Sequence, residues 1–342
     1  FPIVGRQGRH LFAGPRQEPA RNVWLHAVAR YRQLLDDVRS CVLVLLCESE
    51  GLRGRSGAGA MDAMDDMDDM DGAKRAAAAD DAAGGDPGEG RSLDFARQNL
   101  LGIDVAAITV ERFVGLMVGA ARERQRWRVA YVNAANFNLS YRDSSYYEVM
   151  RSADLVYADG QAVVWASRFL GRPLPERVNA GDFFVRFCRR CAEEGLSLYF
   201  LGSQAGVAEQ AAASLCDRVP GLKIAGTQHG HFDPSESNAV VERINRESPG
   251  ILIVGMGSPR QELWVAEHID RLDVGVAWTV GALFEDYSGT RARAPVWMRR
   301  AGLEWLFRLG LEPGRLWRRY VIGNPLFVWR VIRARLGRAR RT

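Results

Sequence analysis

ILIVGMGSPRQELW, residues 251–264, is the stretch whose reading decides the fold. Ile251–Val254 is an apolar run with no polar interruption, the mark of a strand buried on both faces of a parallel sheet. Gly255, Met256, Gly257 and Ser258 then turn the chain. Pro259 suits the first turn of a helix, and residues Arg260–Arg271 carry helical periodicity. The two glycines let backbone N–H groups approach a phosphate at the helix start. Gln261 is placed to read a base or sugar edge, with Glu262 beside it. The third glycine and the ribose-binding acid of a dinucleotide fingerprint are missing, as is the Gly-Lys-Ser/Thr of a P-loop.

Working outward, the same unit recurs. Apolar runs at Val129–Val132, Leu155–Ala158, Leu196–Leu201, Leu222–Ala225 and Val274–Val280 alternate with amphipathic segments at Ser144–Ala153, Gly160–Leu170, Asp182–Glu194, Ala205–Val219 and Ser235–Glu247. Short apolar runs separated by helices imply βαβ units. The expected architecture is α/β: a Rossmann-like parallel sheet with helices on both faces over residues 94–290, followed by a basic amphipathic helical appendage over 291–342.

Ligands in open α/β sheets bind beyond the C-terminal strand ends. The residues there are Asn133 and Asn136, Asp159-Gly160, Gly202-Ser203, Thr227 to His231, Gly255 to Gln261, and Gly281. Any one of them serves equally well to turn the chain; six strand ends together point to a crevice. Asp159 reads as a general base or a helix cap, kept ionised by the following helix. Arg177 reads as a diphosphate-neutralising or a surface residue, and Asp182 as a cap. Cys188 and Cys191 share one helical face and read as core; His229 and His231 alone do not make a zinc site.

Composition bounds the rest. The chain has 342 residues, of which 47% are hydrophobic and 25% charged, a mix that excludes a wholly disordered chain. The longest apolar run, Cys41–Cys47, is far short of the roughly 18 residues that span a bilayer. Residues 61–90 are low complexity, rich in Asp, Ala and Gly. Residues 1–90 are expected to be a dispensable, disordered extension, with a true start near Met61. Net charge is +5, but residues 291–342 hold 14 Arg and only Glu304 and Glu312 as acids. That segment carries +12, and the preceding 290 residues carry −7. Its arginines are interleaved with Trp297, Trp305, Phe307, Trp317, Tyr320, Phe327 and Trp329. Three readings stand on this composition: an element lying on a membrane surface, a capping helix pair with a solvated Arg face, and a single-strand nucleic-acid grip. Asp-x-Asp pairs occur only in the low-complexity stretch, so charge on a leaving diphosphate falls to Arg and backbone dipoles.

Taken in order, Asn133, Ala158-Asp159-Gly160, Arg177 with Gly181-Asp182, Phe200-Leu201-Gly202, Gly255-x-Gly257-x-Pro259-x-Gln261-Glu262-x-x-Trp264, Val280-Gly281-Ala282-Leu283-Phe284, Arg293-Ala294-Pro295, Gly302-Leu303-Glu304-Trp305 with Arg308, and Glu312-Pro313-x-Arg315-Leu316 with Arg319-Tyr320 resemble the WecG/TagA/CpsF family, glycosyltransferase family 26. The resemblance implies an inverting glycosyltransferase that needs no cofactor and no metal. Its donor would be a UDP-sugar carrying an N-acetylmannosamine-type, mannosaminuronic acid or glucose residue. Its acceptor would be a saccharide on undecaprenyl diphosphate, at the inner face of a bacterial plasma membrane, in cell-surface polysaccharide synthesis. By position it makes Asp159 the base. Asn133 and Arg177 would line the same crevice, and Gly255, Gly257 and Gln261 would hold the nucleotide; Asn136, Gly160, Asp182, Gly202, Pro259, Glu262 and Gly281 would complete the substrate-binding set. Arg315, Arg318 and Arg319 would meet diphosphate. An anionic membrane surface then becomes the partner in place of nucleic acid, and a second copy closing the crevice stays open. Tyr131 stands where the family often has Thr. A dinucleotide-dependent oxidoreductase or a nucleotide-binding module are the competing classes for such a fold.

Overall fold

The computed structural model describes residues 95–300 and 302–339. The expected extension over residues 1–90, with its start near Met61, lies outside the described residues.

The chain enters as a hairpin of β1 (Arg97–Leu100) and β2 (Ile103–Ala106). Leu101 and Gly102, both at positive φ, form its two-residue turn. After α1 (Val110–Arg122) come β3 (Trp127–Val132), α2 (Ala134–Ser140), α3 (Ser144–Arg151), β4 (Leu155–Ala158), α4 (Gln161–Phe169), α5 (Ala180–Glu193) and β5 (Ser197–Gly202). The series continues through α6 (Val207–Arg218), β6 (Lys223–Gln228), α7 (Ser237–Glu247), β7 (Ile251–Gly255), α8 (Arg260–His268), β8 (Val276–Thr279) and α9 (Leu283–Ser288). Strands β3 to β8 form one six-stranded sheet, all parallel, in the order β4-β3-β8-β7-β5-β6. Each of the six apolar runs expected as strands forms one. The hairpin, α1 and α2 went unpredicted, because Arg, Asn and Asp interrupt the first and short length hides the last.

Alternation along the strands sends side chains to the two faces of the sheet, where they form three cores. Val129, Tyr157, Phe200, Ile253 and Trp278 face α1, α5, α6 and α9. Ala130, Val132 and Val156 face α3 and α4, while Leu201, Leu252 and Val254 face α7 and α8. Trp278 is fully buried among Phe113, Phe183, Phe184 and Phe187, and its indole N–H donates to the Tyr157 hydroxyl at 3.0 Å. Fully burying one such ring contributes roughly 1.5–3 kcal/mol. Cys188 and Cys191 are buried in this same core.

Two helix starts differ from the sequence reading. The N-cap of α5 is Asn179, so Asp182 sits inside the first turn and caps nothing. Gly160, not Asp159, is the N-cap residue of α4.

Beyond α9 the chain forms α10 (Val296–Arg300), α11 (Glu304–Leu311), α12 (Pro313–Trp317), a π-helical turn (Arg318–Ile322) and α13 (Gly323–Ala339). The last helix packs on α2. Phe327 stacks on Phe137 with ring centroids 5.7 Å apart, and Phe327 and Val331 are buried in the core that holds Val132 and Val156. Asn138 Nδ2 donates to the Gly323 carbonyl at 2.7 Å. Thus one face of the arginine-rich segment is part of the hydrophobic core, while Val328, Trp329, Ile332 and Leu336 on the same helix are exposed. No helix among the described residues is long and apolar enough to cross a membrane.

Candidate active site

A crevice of about 330 Å³ opens over the C-terminal ends of β4, β3, β8 and β7. Parallel strands bring those ends to one edge, which is why residues far apart in sequence meet there. Tyr131 and Asn133 come from β3 and Tyr157 and Asp159 from β4. Gly257 and Ser258 follow β7, Val280 and Gly281 follow β8, and Asn179 comes from the start of α5. Across from them stand Asp286, Arg291, Arg308, Arg315 and Arg319. The crevice therefore joins one carboxylate end of the sheet to a set of guanidiniums supplied by the last fifty residues.

Asp159 is half-buried at the crevice floor. Its backbone N–H donates to the Val132 carbonyl at 3.0 Å, and its Oδ1 accepts from Asn179 Nδ2 at 2.8 Å. Burial pushes its carboxyl up from 3.8 to about 6, and the Glu304 charge adds to this. Arg177, Arg308 and Arg319 pull the other way. The α4 dipole, expected from the sequence to help keep this group ionised, acts in the opposite sense to burial. Desolvation outweighs it, because the carboxyl sits beneath protein on the strand-end side. A carboxylate with this value is ionised at neutral pH and still basic enough to accept a proton, which a surface aspartate does poorly.

The glycine turns behind the crevice are shaped by close backbone approach. A Cβ on Gly202 would lie 2.3 Å from the Gly255 carbonyl oxygen, so the two strand ends abut and neither lines the crevice. Gly281 has φ +62°, and a Cβ there would come within 2.6 Å of the Tyr131 hydroxyl. That phenol, standing where the family often has Thr, is itself a crevice wall; burial first, then the charges of Glu262 and Asp159, raise its pKa.

Gln261 and Glu262 are corrected by the structure. Gln261 is fully buried, and its Oε1 accepts from the backbone N–H of Gly257 at 3.2 Å and of Gly281 at 3.1 Å. It ties two crevice turns together from behind and cannot read a base edge. Glu262 is also buried, accepting at Oε1 from Ser258 Oγ at 2.8 Å and from Gln261 Nε2 at 2.7 Å. Its burial raises its carboxyl pKa. Asn136 uses its amide on Tyr146 and Ser258, at 2.8 and 3.1 Å. Asn133 caps α2 through Ala135 and Asn136. Pro259 is the N-cap of α8.

Among the arginines, Arg315 and Arg319 reach the crevice, whereas Arg318 lies over the Trp317 ring at 5.3 Å and does not line it. Arg177 stands behind the lining, paired with Asp182 and, at 3.8 Å, with Glu304. Asp182 gathers Arg177, Arg293 and Arg299 and is an ion-pair hub outside the lining. Sequence reasoning gave Arg308, Asn179 and Asp286 no site role. Arg308 belongs to the arginine-rich segment and could have been flagged; nothing in the spacing marks Asn179, which reaches Asp159 only through the fold. At the neighbouring strand end, Ser203 Oγ donates to Glu285 Oε1 at 2.6 Å, leaving Glu285 Oε2 and, in the next loop, His229 Nδ1 buried without partners. Among the described residues, no group of three or more His, Cys, Asp or Glu is placed to hold a metal ion.

A Rossmann-like sheet with a basic carboxylate and convergent arginines at its strand ends forms a crevice suited to an anionic ligand. The family model described as the glycosyl transferase WecG/TagA/CpsF family matches residues 98–341, and the chain belongs to that family. It is therefore a sugar-transferring enzyme. Among curated relatives it is similar to the N-acetylglucosaminyldiphosphoundecaprenol N-acetyl-beta-D-mannosaminyltransferases of Staphylococcus aureus strains NCTC 8325 and COL. Identity to each is 28% over 242 residues, which is 70% of this chain and 94% of each relative.

Proposed function

We propose that this enzyme moves an N-acetylmannosamine-type sugar from UDP to a saccharide carried on a polyprenyl diphosphate, with inversion and without a metal. The observation that carries this reading is the meeting of Asp159 with Arg308, Arg315 and Arg319 in one crevice. The names of the curated relatives supply the sugar and the acceptor. Asp159 takes the proton from the acceptor hydroxyl as that oxygen bonds to the anomeric carbon. The bond from that carbon to the phosphate oxygen breaks on the opposite face, and the electron pair leaves with UDP. The guanidiniums, of which Arg308 is held by Glu304, meet the charge that develops on the diphosphate. Hard divalent cations need clustered carboxylates, and the arginines occupy that role here. An α-linked donor gives a β product, as the relatives' name states for theirs.

With an acceptor carried on a membrane lipid, this reading puts the enzyme at the inner face of the membrane. Arginines of the final segment stand beside exposed Trp297, Trp317 and Trp329, the pattern of an element seated at a lipid interface. Each basic residue near an anionic leaflet adds about 1 kcal/mol of attraction.

The test is UDP release from a panel of UDP-sugars with a short-chain lipid-diphosphate saccharide, with and without EDTA. Turnover in EDTA, lost at least a hundredfold in Asp159→Asn while UDP still binds, is the expected result. A variant keeping more than about a tenth of the rate removes the base assignment, and chelator-sensitive turnover removes the metal-free one.

A further inference from the structure

Glu304 is the first residue of α11 and lies far outside the sheet domain in sequence, yet its carboxylate is only 14% exposed. One oxygen, Oε1, pairs with Arg308 at 3.0 Å; the other, Oε2, faces Arg177 at 3.8 Å. Both arginines are among the charged neighbours of Asp159. Arg308 lines the crevice; Arg177 stands just behind it; Glu304 itself does not line it. Glu304 thus touches neither the crevice nor any reacting atom, but it occupies the position between the two cations that frame the base.

We propose that Glu304 is a positioning residue for the transfer step: it holds Arg177 and Arg308 at the crevice and cancels the positive field they would otherwise impose on Asp159. This rests on the reading of Asp159 as the base. The two demands of the site conflict without such a residue. A leaving diphosphate needs fixed cations nearby, and fixed cations nearby make a carboxylate a weaker base. A carboxylate shared between the cations resolves the conflict, because its distance to each is short while the crevice side of Arg308 stays open to substrate. Burial alone would weaken the charge on Arg308; Glu304, followed by Tyr320, Asp286 and Asp159, keeps it protonated. The charged groups that act most strongly on Asp159 are Glu304, Arg177, Arg308 and Arg319; the phenols of Tyr131 and Tyr157 stand beside it, and Asp286, Arg291 and Arg315 line the same crevice. Among the strongest of these neighbours Glu304 is the carboxylate, and its charge works with burial to keep the base basic.

The arrangement also couples the base to the C-terminal segment. Glu304 reaches Arg177 only while α11 is docked against the sheet, so the base is fully tuned only in the docked state.

The experiment is the pH profile of kcat in the full chain for wild type, Glu304→Gln and Glu304→Asp, with the Asp159 carboxyl followed separately by carbon-detected NMR titration. Glu304→Gln is expected to move the acid limb of kcat and the Asp159 titration down together by roughly one pH unit. At pH 5 the variant then keeps about five times more of its own plateau rate than wild type keeps. The plateau itself falls severalfold, since the base is weaker. Glu304→Asp, which keeps the charge, is expected to leave both midpoints near wild type and serves if the Gln variant folds poorly. An Asp159 titration that stays put in Glu304→Gln, or one that moves equally in Glu304→Asp, overturns the proposal. If the titration moves and the kcat limb does not, Glu304 acts on Asp159 as stated and the base assignment is what falls.

Discussion

Asn179 donates to Asp159 at 2.8 Å, so the capping residue of one helix anchors the carboxylate at the end of the neighbouring strand. This bond and the crevice wall fix a carboxyl whose pKa burial has pushed up to about 6. Between about pH 4 and 6 the folded protein therefore binds more protons than the unfolded chain, and its stability falls as pH rises through that window. Ionised Asp159 destabilises the native state at pH 7. Asp159→Asn keeps the shape and a carbonyl for Asn179. It is expected to stabilise the protein by about 1 kcal/mol at pH 7.5, crevice water screening part of the charge. Below pH 4 the difference should vanish. Thermal unfolding at both pH values checks this, and equal midpoints at pH 7.5 would contradict it.

Gln261 bridges the turns after β7 and β8 with a single oxygen. Replacing it with Leu strands the N–H groups of Gly257 and Gly281, at about 1–3 kcal/mol for each group left unmet. The expected result is a loss of roughly 2–4 kcal/mol in urea unfolding together with at least tenfold weaker UDP binding by calorimetry. A variant as stable as wild type that loses only UDP affinity would mean the amide reaches the nucleotide after all.

The Phe327–Phe137 stack is the main apolar tie between α13 and the sheet domain. Phe327→Ala is expected to cost about 3–4 kcal/mol and to open the segment after residue 290 to trypsin, which has many arginines to cut there. An unchanged digestion pattern would show that the ion pairs around Asp182 and Glu304 suffice to dock the segment.

Trp329 and Ile332 project from α13 on the side away from Phe327 and Val331. Vesicles containing anionic lipid should bind the protein at low salt, with a blue shift in tryptophan emission, and release much of it at high salt. Trp329→Ser with Ile332→Ser is expected to weaken binding at least tenfold while leaving turnover on a short-chain soluble acceptor intact. Equal binding to neutral and anionic vesicles would exclude the electrostatic part of this reading.

Much of the fold was legible because the strands are short apolar runs punctuated by Gly, Asn and Asp. Ile251–Val254 illustrates this: a parallel strand covered on both faces reads as a nearly continuous apolar run, so its sequence announces it. The hairpin Arg97–Ala106 was missed because Arg97, Asn99 and Asp104 stand on its more open face and break the apolar pattern. The site was half legible. Asn133, Asp159, Gly257 and Gly281 follow directly from strand ends, whereas Gln261 and Glu262 share that neighbourhood but point inward from α8. Sequence position placed them near the crevice; helix phase turned them away from it.

The amino-acid order determined which segments become strands and helices, where the strand ends fall and how unevenly charge is divided, since each depends on neighbours a few residues apart. Tertiary structure alone decided that Glu304 sits between Arg177 and Arg308, that Asn179 grips Asp159, and that Phe327 turns inward while Trp329 turns out. Those outcomes arise from the packing of separate elements, 20 residues apart for Asn179 and Asp159 and more than a hundred for Glu304 and Arg177, or from opposite sides of one helix. Burial and Coulomb interactions, which tune the base, depend on distance through space and not along the chain.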